Sequence, residues 1–451
     1  MSTRQTWSSR LTYILTVAGA TIGFGATWRF PYLVGENGGG AYVLTFIAVM
    51  MLVGIPIILV ENVIGRRAQA NSVDAFALAG RAPGYSPSPL WKLFGYTGLL
   101  GAFGILAYYM VIGGWVISYI WHIFLGAAGV AGGLDLSSPI TKELTESFYS
   151  DTIEHSPFAI TCYTLVFVLI NWVILRKGVI QGIERSVKYL MPLLLLCLLI
   201  MVIRNLTLDD AAAGVSFYLT PDFSKITPRL FLDVLGQVFF ALSLGFGVMI
   251  TLSSHLNQKE DMVKTAVITG IINTLVAVMA GFMIFPSLFS ANLAPDSGPS
   301  LVFKSLPIAF SEMFLGNFFA IVFFLLLVIA ALTTSLTIYQ AHQPGPRHQS
   351  DAWRHLPVRQ SALHSCLWSV ARRTHSRSQH FRCVRLCERQ HLLCDHSTRR
   401  HHFRGLDYEK QRQGRNRQLR YAAGLWFVWV RYVIPVVIIA IFAYGLRGFF
   451  A

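Results

Sequence analysis

The chain has 451 residues, of which 54% are hydrophobic and only 13% charged, with a mean hydropathy of +0.53. Water-soluble domains carry about 25% charged residues, so this composition excludes an ordinary soluble enzyme or binding module and predicts a polytopic membrane protein. The net charge of +15 does not argue for a nucleic-acid partner, because it sits in one segment: residues 341–420 hold 16 Arg and one Lys against five acids.

In chain order, the first apolar run, residues 11–35, is long enough to cross a bilayer but is interrupted by Gly19, Gly23 and Gly25. Glycine inside a helix costs about 1 kcal/mol relative to alanine. Non-helical backbone at membrane depth is tolerated only when buried in protein or lining a cavity. A break there frees carbonyls and amides for an ion or a small zwitterion. Further runs of about 18 or more apolar residues predict spans at 41–64, 93–124, 158–175, 187–204, 231–256, 263–289, 313–340 and 424–447. The sixth of these spans carries a second interruption, Ser243-Leu244-Gly245-Phe246-Gly247. Either glycine cluster alone would equally suit close helix packing. Paired in corresponding positions of two halves, they point to a transport site.

The N-terminus shows no h-region followed by a cleavage site, so the first span is expected to be retained. Arg4, Arg10, Arg66, Arg67, Arg81, Lys92, Arg176, Lys177, Arg185, Lys188, Lys259 and Lys264 all fall on one side of the predicted topology. Cytoplasmic loops carry the excess of base. The N-terminus is therefore expected in the cytoplasm, with loops 125–157, 205–230 and 290–312 outside.

Five motifs carry a resemblance: GATIGFGATWRFPYLVGENGGGAY (19–42), GIPIILVENVIGR (54–66), YYMVIGGW (108–115), GQVFFALSLGFGVMITLSS (236–254) and FFLLLVIAALTTSLTIYQ (323–340). On these the chain resembles the neurotransmitter:sodium symporter family, in its bacterial amino-acid transporter branch, over residues 4–340 and 424–447. The resemblance implies an all-α polytopic fold of the inner membrane, with two inverted five-helix repeats and the first and sixth helices broken. It implies a sodium-coupled symporter for an amino acid or similar small zwitterion, working by alternating access, with no organic cofactor. An enzyme is not expected, and no motif bears on oligomeric state.

Carried over residue by residue, the resemblance assigns a second sodium site to Gly19, Ile22, Ala330, Thr333 and Thr334, an oxygen-only set suited to a hard cation. An isolated intrahelical threonine would instead bond back to its own preceding turn. The first sodium site is degraded: Ala26 and Ala241 stand where the family pattern has Asn and Thr. That leaves Thr21, Ala241 and Asn273 and implies one sodium per cycle. Ala277 replaces a helix-seven residue tied to chloride or proton dependence, and chloride dependence is not expected. Substrate contacts fall on Ala20, Thr21, Phe24, Gly25, Tyr109, Phe240, Ser243, Phe246 and Thr334. Gly23 takes the place of an amine-pairing Asp and leaves room for a substrate carboxylate. Gate residues would be Arg4 and Trp7 inside, Arg29 and Gln237 outside. The acidic partners of Arg4 and Arg29 should follow Gln340 and are missing, leaving Arg29 an unpaired intramembrane cation, which is costly.

Three parts follow: a transporter core at 1–340, a basic His/Cys/Arg-rich segment at 341–420 in place of helices nine and ten, and a last transmembrane helix within 421–451. The middle part begins and ends abruptly and has no apolar periodicity, as out-of-frame translation of a GC-rich gene would produce. Two alternatives stand beside that reading: a zinc module on Cys383, Cys387, Cys394, His380, His391 and His396, whose spacings make no CxxC pair, or a basic surface for nucleic acid or anionic lipid. Under any of these the chain could be a defective transporter remnant.

Overall fold

The computed structural model describes residues 7–79, 88, 90–256, 260–293, 301–342 and 426–436. Every regular element among them is a helix. The chain opens with α1 (Arg10–Thr21), capped by the Ser9 hydroxyl, which accepts from the Thr12 amide. Such a cap contributes about 1 kcal/mol. After the break, one π-helical turn (Gly25–Arg29) leads into α2 (Phe30–Glu36), and the two halves of this span meet at 53°. The next elements are α3 (Gly40–Ala68), the short α4 (Ser72–Ala79) and the long α5 (Trp91–Ala127). Then come α6 (Lys142–Tyr149), α7 (Pro157–Leu175), α8 (Gly182–Leu206) and α9 (Ala211–Leu219).

The sixth predicted span is two helices. Helix α10 (Pro228–Ala241) ends where Leu242–Gly247 leave the helical path, and α11 (Val248–Ser253) resumes it. Ser243, Gly245 and Gly247 have φ of 51°, 86° and 77°. This left-handed backbone costs glycine little but is strained for Ser243. Pro228 at the first turn and the Thr227 hydroxyl start α10, and the Asp261 carboxylate starts α12 (Met262–Ser290) by accepting from the Val263 and Lys264 amides. The short helix α13 (Leu301–Ser311), then α14 (Gly316–Ala341) and α15 (Trp426–Val436) complete the described chain.

Helices α8 and α14 lie against α1, with α12 against its broken end, and α5 packs against α14. The apolar face of α7 and much of α8 remain exposed, with Leu169, Trp172, Leu196 and Ile203 all more than a third accessible. Lipid is the solvent that such faces need.

The two breaks lie where sequence places them. The basic segment differs in one respect: α14 continues into it through Ala341, and His342 caps the helix, its ring nitrogens on the carbonyls of Ile338 (3.0 Å) and Leu99 (3.2 Å). Burial lowers the His342 pKa. The rest of 341–420, with its cysteines, the disruption expected of helices nine and ten, and Arg4, lie outside the described residues; so does the last predicted span beyond Val436.

The loop after α5 is tied to the start of α14. The Asn317 amide donates to the Asp135 carboxylate at 2.7 Å, and the Asn317 oxygen accepts from the Leu136 amide at 2.8 Å. Bonds from Asn317 and Ser137 hold the Asp135 carboxyl below the usual carboxylate range. A lowered pKa gives a contribution that is full at neutral pH and fades as pH falls through that range. The protection factor of the Leu136 amide should therefore fall on acidification in the wild type and be low at all pH in Asn317→Ala. Equal exchange in both proteins at neutral pH would contradict the tether.

Candidate substrate and ion site

An α-helix leaves its last carbonyls without partners. At the end of α1 three consecutive carbonyls are caught by side chains from two other helices and from the second break. Thr334 of α14 donates its hydroxyl to Gly19 O at 2.9 Å. Ser243, in the second break, donates to Ala20 O at 3.1 Å, and Asn273 of α12 donates its amide to Thr21 O at 3.0 Å. All three side chains are buried. The broken spans are stitched a second time outside this cluster, where Gln237 donates to Gly25 O at 2.6 Å. The second break has its own fastening: Glu61 of α3, wholly buried, accepts the Gly245 amide at 2.9 Å.

The amides of the first break converge on Tyr109, whose hydroxyl meets those of Phe24 and Gly25 and the Thr334 hydroxyl. A Cβ placed on Gly23 would lie 2.5 Å from both the Tyr109 and the Thr334 oxygens. The room expected beside Gly23 is thus bounded by two hydroxyls. Below them lies a cavity of ≈ 10 Å³, with Ala102, Ile105, Phe240, Phe246, Val248 and Ile338 as apolar walls and Tyr109, Ser243 and Thr334 as its polar end. It bears no charged side chain.

Of the expected substrate residues, Tyr109, Phe240, Ser243, Phe246 and Thr334 line this cavity. Phe24 and Gly25 reach it through backbone, with the Phe24 ring 4.9 Å from that of Tyr109. Ala20 and Thr21 contribute carbonyls, while the Thr21 hydroxyl turns back to Ala18 O. Sequence reading missed Ala102, Ile105, Val248 and Ile338, which are ordinary apolar residues in apolar runs. It also missed the role of Glu61, although a carboxylate inside an apolar span is a signal in itself.

Of the residues expected at the second sodium site, Gly19 and Thr334 are bonded directly, and Thr333 lies against Gly19, its Cβ 3.2 Å from where a Gly19 Cβ would be. The Thr333 hydroxyl bonds back to Ile329 and Ala330 carbonyls at 3.0 and 3.1 Å. Freed carbonyls and two hydroxyls are an oxygen-only set that suits a hard monovalent cation. At the first site, Thr21, Ala241 and Asn273 also meet, but the Asn273 amide nitrogen lies between the two carbonyls (3.0 and 3.4 Å) and its oxygen is buried without a hydrogen bond. Methyl groups stand at Ala26 and Ala241, so side-chain oxygens are lacking there.

Arg29 is not stranded, contrary to expectation. Its guanidinium donates to Gln237 at 2.7 Å and lies 5.2 Å above the Phe240 ring. Outside that layer, α13 inserts Phe303 among Trp28, Trp115, Tyr119 and Phe324, and Tyr119 donates to Phe303 O at 2.8 Å. At the opposite end of α1, the Trp7 indole donates to Leu252 O at 3.0 Å and packs on Tyr13 and His255, while Ser8 bonds to Glu184.

Two half-broken spans crossing at a closed polar cluster, inside a bundle of membrane-length helices, define a secondary transporter. A family model described as "Sodium:neurotransmitter symporter family" matches residues 4–128 and 148–345, and the chain belongs to that family. It is similar to an uncharacterized sodium-dependent transporter of Haemophilus influenzae, 65% identical over 75% of this chain and 72% of that one. An uncharacterized sodium-dependent transporter of Bacillus subtilis is 36% identical over 74% and 70%. Among solved structures, MhsT in complex with L-phenylalanine superposes with a TM-score of 0.79 at 31% identity, covering 98% of this chain and 99% of that one. The protein is a sodium-dependent transporter of the membrane, not an enzyme.

Two outcomes test the geometry. Overpacking a tight site costs about 1–3 kcal/mol, so Gly23→Ala should cut sodium-dependent uptake about tenfold or more at unchanged protein level. Glu61→Leu leaves the Gly245 amide unpaired, a loss of about 1–3 kcal/mol, whereas Glu61→Gln keeps an acceptor. Thermal unfolding in detergent should rank the Gln variant clearly above the Leu variant; the reverse order would show that Glu61 does not hold the break.

Proposed function

We propose that the protein takes up a neutral amino acid with an apolar side chain, together with one sodium ion, by alternating access across the inner membrane with its N-terminus in the cytoplasm. The observation that carries this reading is the meeting of the Phe24 and Gly25 amides with the Tyr109 hydroxyl, above a cavity with apolar walls. A carboxylate entering beside Tyr109 would meet two amide donors and a phenol donor in one place. Carbonyls in the same breaks can accept an ammonium. Charged side chains find no partner in the cavity walls, and a buried unpaired charge is costly. A substrate needs more room than ≈ 10 Å³, so Phe240 and Phe246 must move when it enters. The solved complex of MhsT with L-phenylalanine supports the substrate class.

Sodium, as co-substrate, would be held by the Gly19, Ile22 and Ala330 carbonyls and the Thr333 and Thr334 hydroxyls. Thr334 then exchanges its bond to Gly19 O for one shared with the ion, so ion binding and the end of α1 are coupled. At the first site the Asn273 amide already bridges the Thr21 and Ala241 carbonyls with positive hydrogens. It does there what a cation would do, and this favours a single sodium. The cytoplasmic N-terminus is supported by the basic loops around Arg66, Arg67, Lys177 and Lys188.

Uptake of labelled L-phenylalanine into vesicles with an inward sodium gradient tests the reading. Saturable uptake that collapses without sodium, is blocked by excess neutral amino acids and is unaffected by phenethylamine, which lacks the carboxylate, is expected. Block by the amine alone would overturn the substrate class. The sodium dependence should be hyperbolic, with a Hill coefficient near one; a value approaching two would restore the first ion site.

A further inference from the structure

Helix α7 is the helix most open to lipid, with Phe158, Val166, Leu169 and Val173 all well exposed. One carboxamide on it faces the other way. Asn171 is 3% exposed, and its oxygen accepts the hydroxyl proton of Ser335 on α14 at 2.7 Å. Its amide donates to Phe167 O, one turn back on its own helix, at 3.0 Å. Ser335 is itself wholly buried and directly follows Thr333 and Thr334.

The base of this contact is rigid. Helix α7 lies against α5 where that helix has no side chains. A Cβ on Gly113 would come within 2.6 Å of the Phe167 ring, and one on Gly114 within 2.5 Å of the Thr164 hydroxyl. Gly113 stands one turn beyond Tyr109 on α5. Asn171 in turn stands one turn beyond Phe167 on α7. The scaffold that carries Tyr109 therefore also carries the acceptor that holds Ser335, and Ser335 is on the helix that presents Thr334 to Gly19. A path of short contacts runs from α5 through α7 and α14 to the broken end of α1.

We infer that Asn171 is a positioning residue for the ion-binding threonines: its bond to Ser335 sets the rotation and height of α14 that bring Thr333 and Thr334 to the freed carbonyls of α1. This rests on the sodium-site reading proposed above. The contact is asymmetric. If Asn171 is removed, the Ser335 hydroxyl falls back on Leu332 O, already 3.0 Å away, so no polar group is orphaned and the fold survives. The helix then loses only the bond that chose its rotation.

Radioactive sodium binding to the purified full-length protein tests this without knowledge of the transported solute. Bonds of this kind between membrane helices contribute about 0.6 kcal/mol on average and up to about 1.7, which corresponds to a rise of roughly three- to fifteenfold in half-saturating sodium for Asn171→Leu. Asn171→Asp keeps an oxygen in place and should bind sodium nearly as the wild type does. Ser335→Ala cuts the same bond from the other side, and the double variant Asn171→Leu with Ser335→Ala should be no worse than the single ones. Thr334→Ala separates the two proposals. If it weakens sodium binding while Asn171→Leu and Ser335→Ala leave half-saturation unchanged, the positioning role is wrong and the ion site stands. If Thr334→Ala has no effect, the ion site is elsewhere and the positioning role falls with it. A lowered melting temperature in Asn171→Leu with wild-type sodium affinity would also overturn the inference, since it would leave Asn171 a simple packing contact.

Discussion

The structure depends on a debt in backbone hydrogen bonds at the end of α1. In a bilayer each unsatisfied backbone polar group costs several kcal/mol, and stopping a helix at mid-depth exposes a run of carbonyls at once. Here Gly19, Ala20 and Thr21 are answered by Thr334, Ser243 and Asn273. These answers come from α14, from the second break and from α12, so the cost of the break is met only when the elements of both halves are assembled around it. That requirement explains why polar residues in otherwise apolar helices cluster at one point. It also leaves every group there a donor or acceptor already held in place, which is what the proposed exchange of internal partners for an ion and a substrate requires.

The two breaks are not equivalent. The first ends its inner helix at Thr21 and resumes within three residues through a π-helical turn, keeping its amides concentrated near Tyr109. The second spends six residues, three of them left-handed, and is held open by the Glu61 carboxylate from α3. Glu61 belongs to α3, which packs against α11 and α12, so one flank of the second break is anchored there. The other flank, α10, carries Gln237 and Phe240, which meet Arg29 and Gly25. At that end the two broken spans are fastened to each other, and at the opposite end the N-terminal Trp7 is fastened to α11.

On the proposed reading, two departures from the family pattern concern the first ion position. Alanines at 26 and 241 bring no side-chain oxygen, and the amide of Asn273 spans the gap between the Thr21 and Ala241 carbonyls. An amide nitrogen supplies partial positive charge without the desolvation cost of an ion. The neighbouring threonine pair on α14 keeps its full oxygen complement. A single retained ion position beside one filled by an internal amide is a consistent reading of both.

Legible in the sequence alone were the membrane-spanning character, the order of the spans and the location of both breaks, because glycine interruptions and apolar run lengths are local properties with strong energetic consequences. It also carried the Thr333–Thr334 pair and Tyr109, through motifs long enough to be specific. What only the tertiary structure decided was which groups pair. That Arg29 rests on Gln237 and Phe240, that Glu61 caps Gly245, and that Asn171 reaches Ser335 across some 160 positions of chain depends on how helices turn against one another. So does the set of apolar residues, Ala102, Ile105, Val248 and Ile338, that bound the cavity. Helical periodicity says which side of a helix is apolar, but in a membrane lipid and protein interior are equally apolar. Only packing separates them.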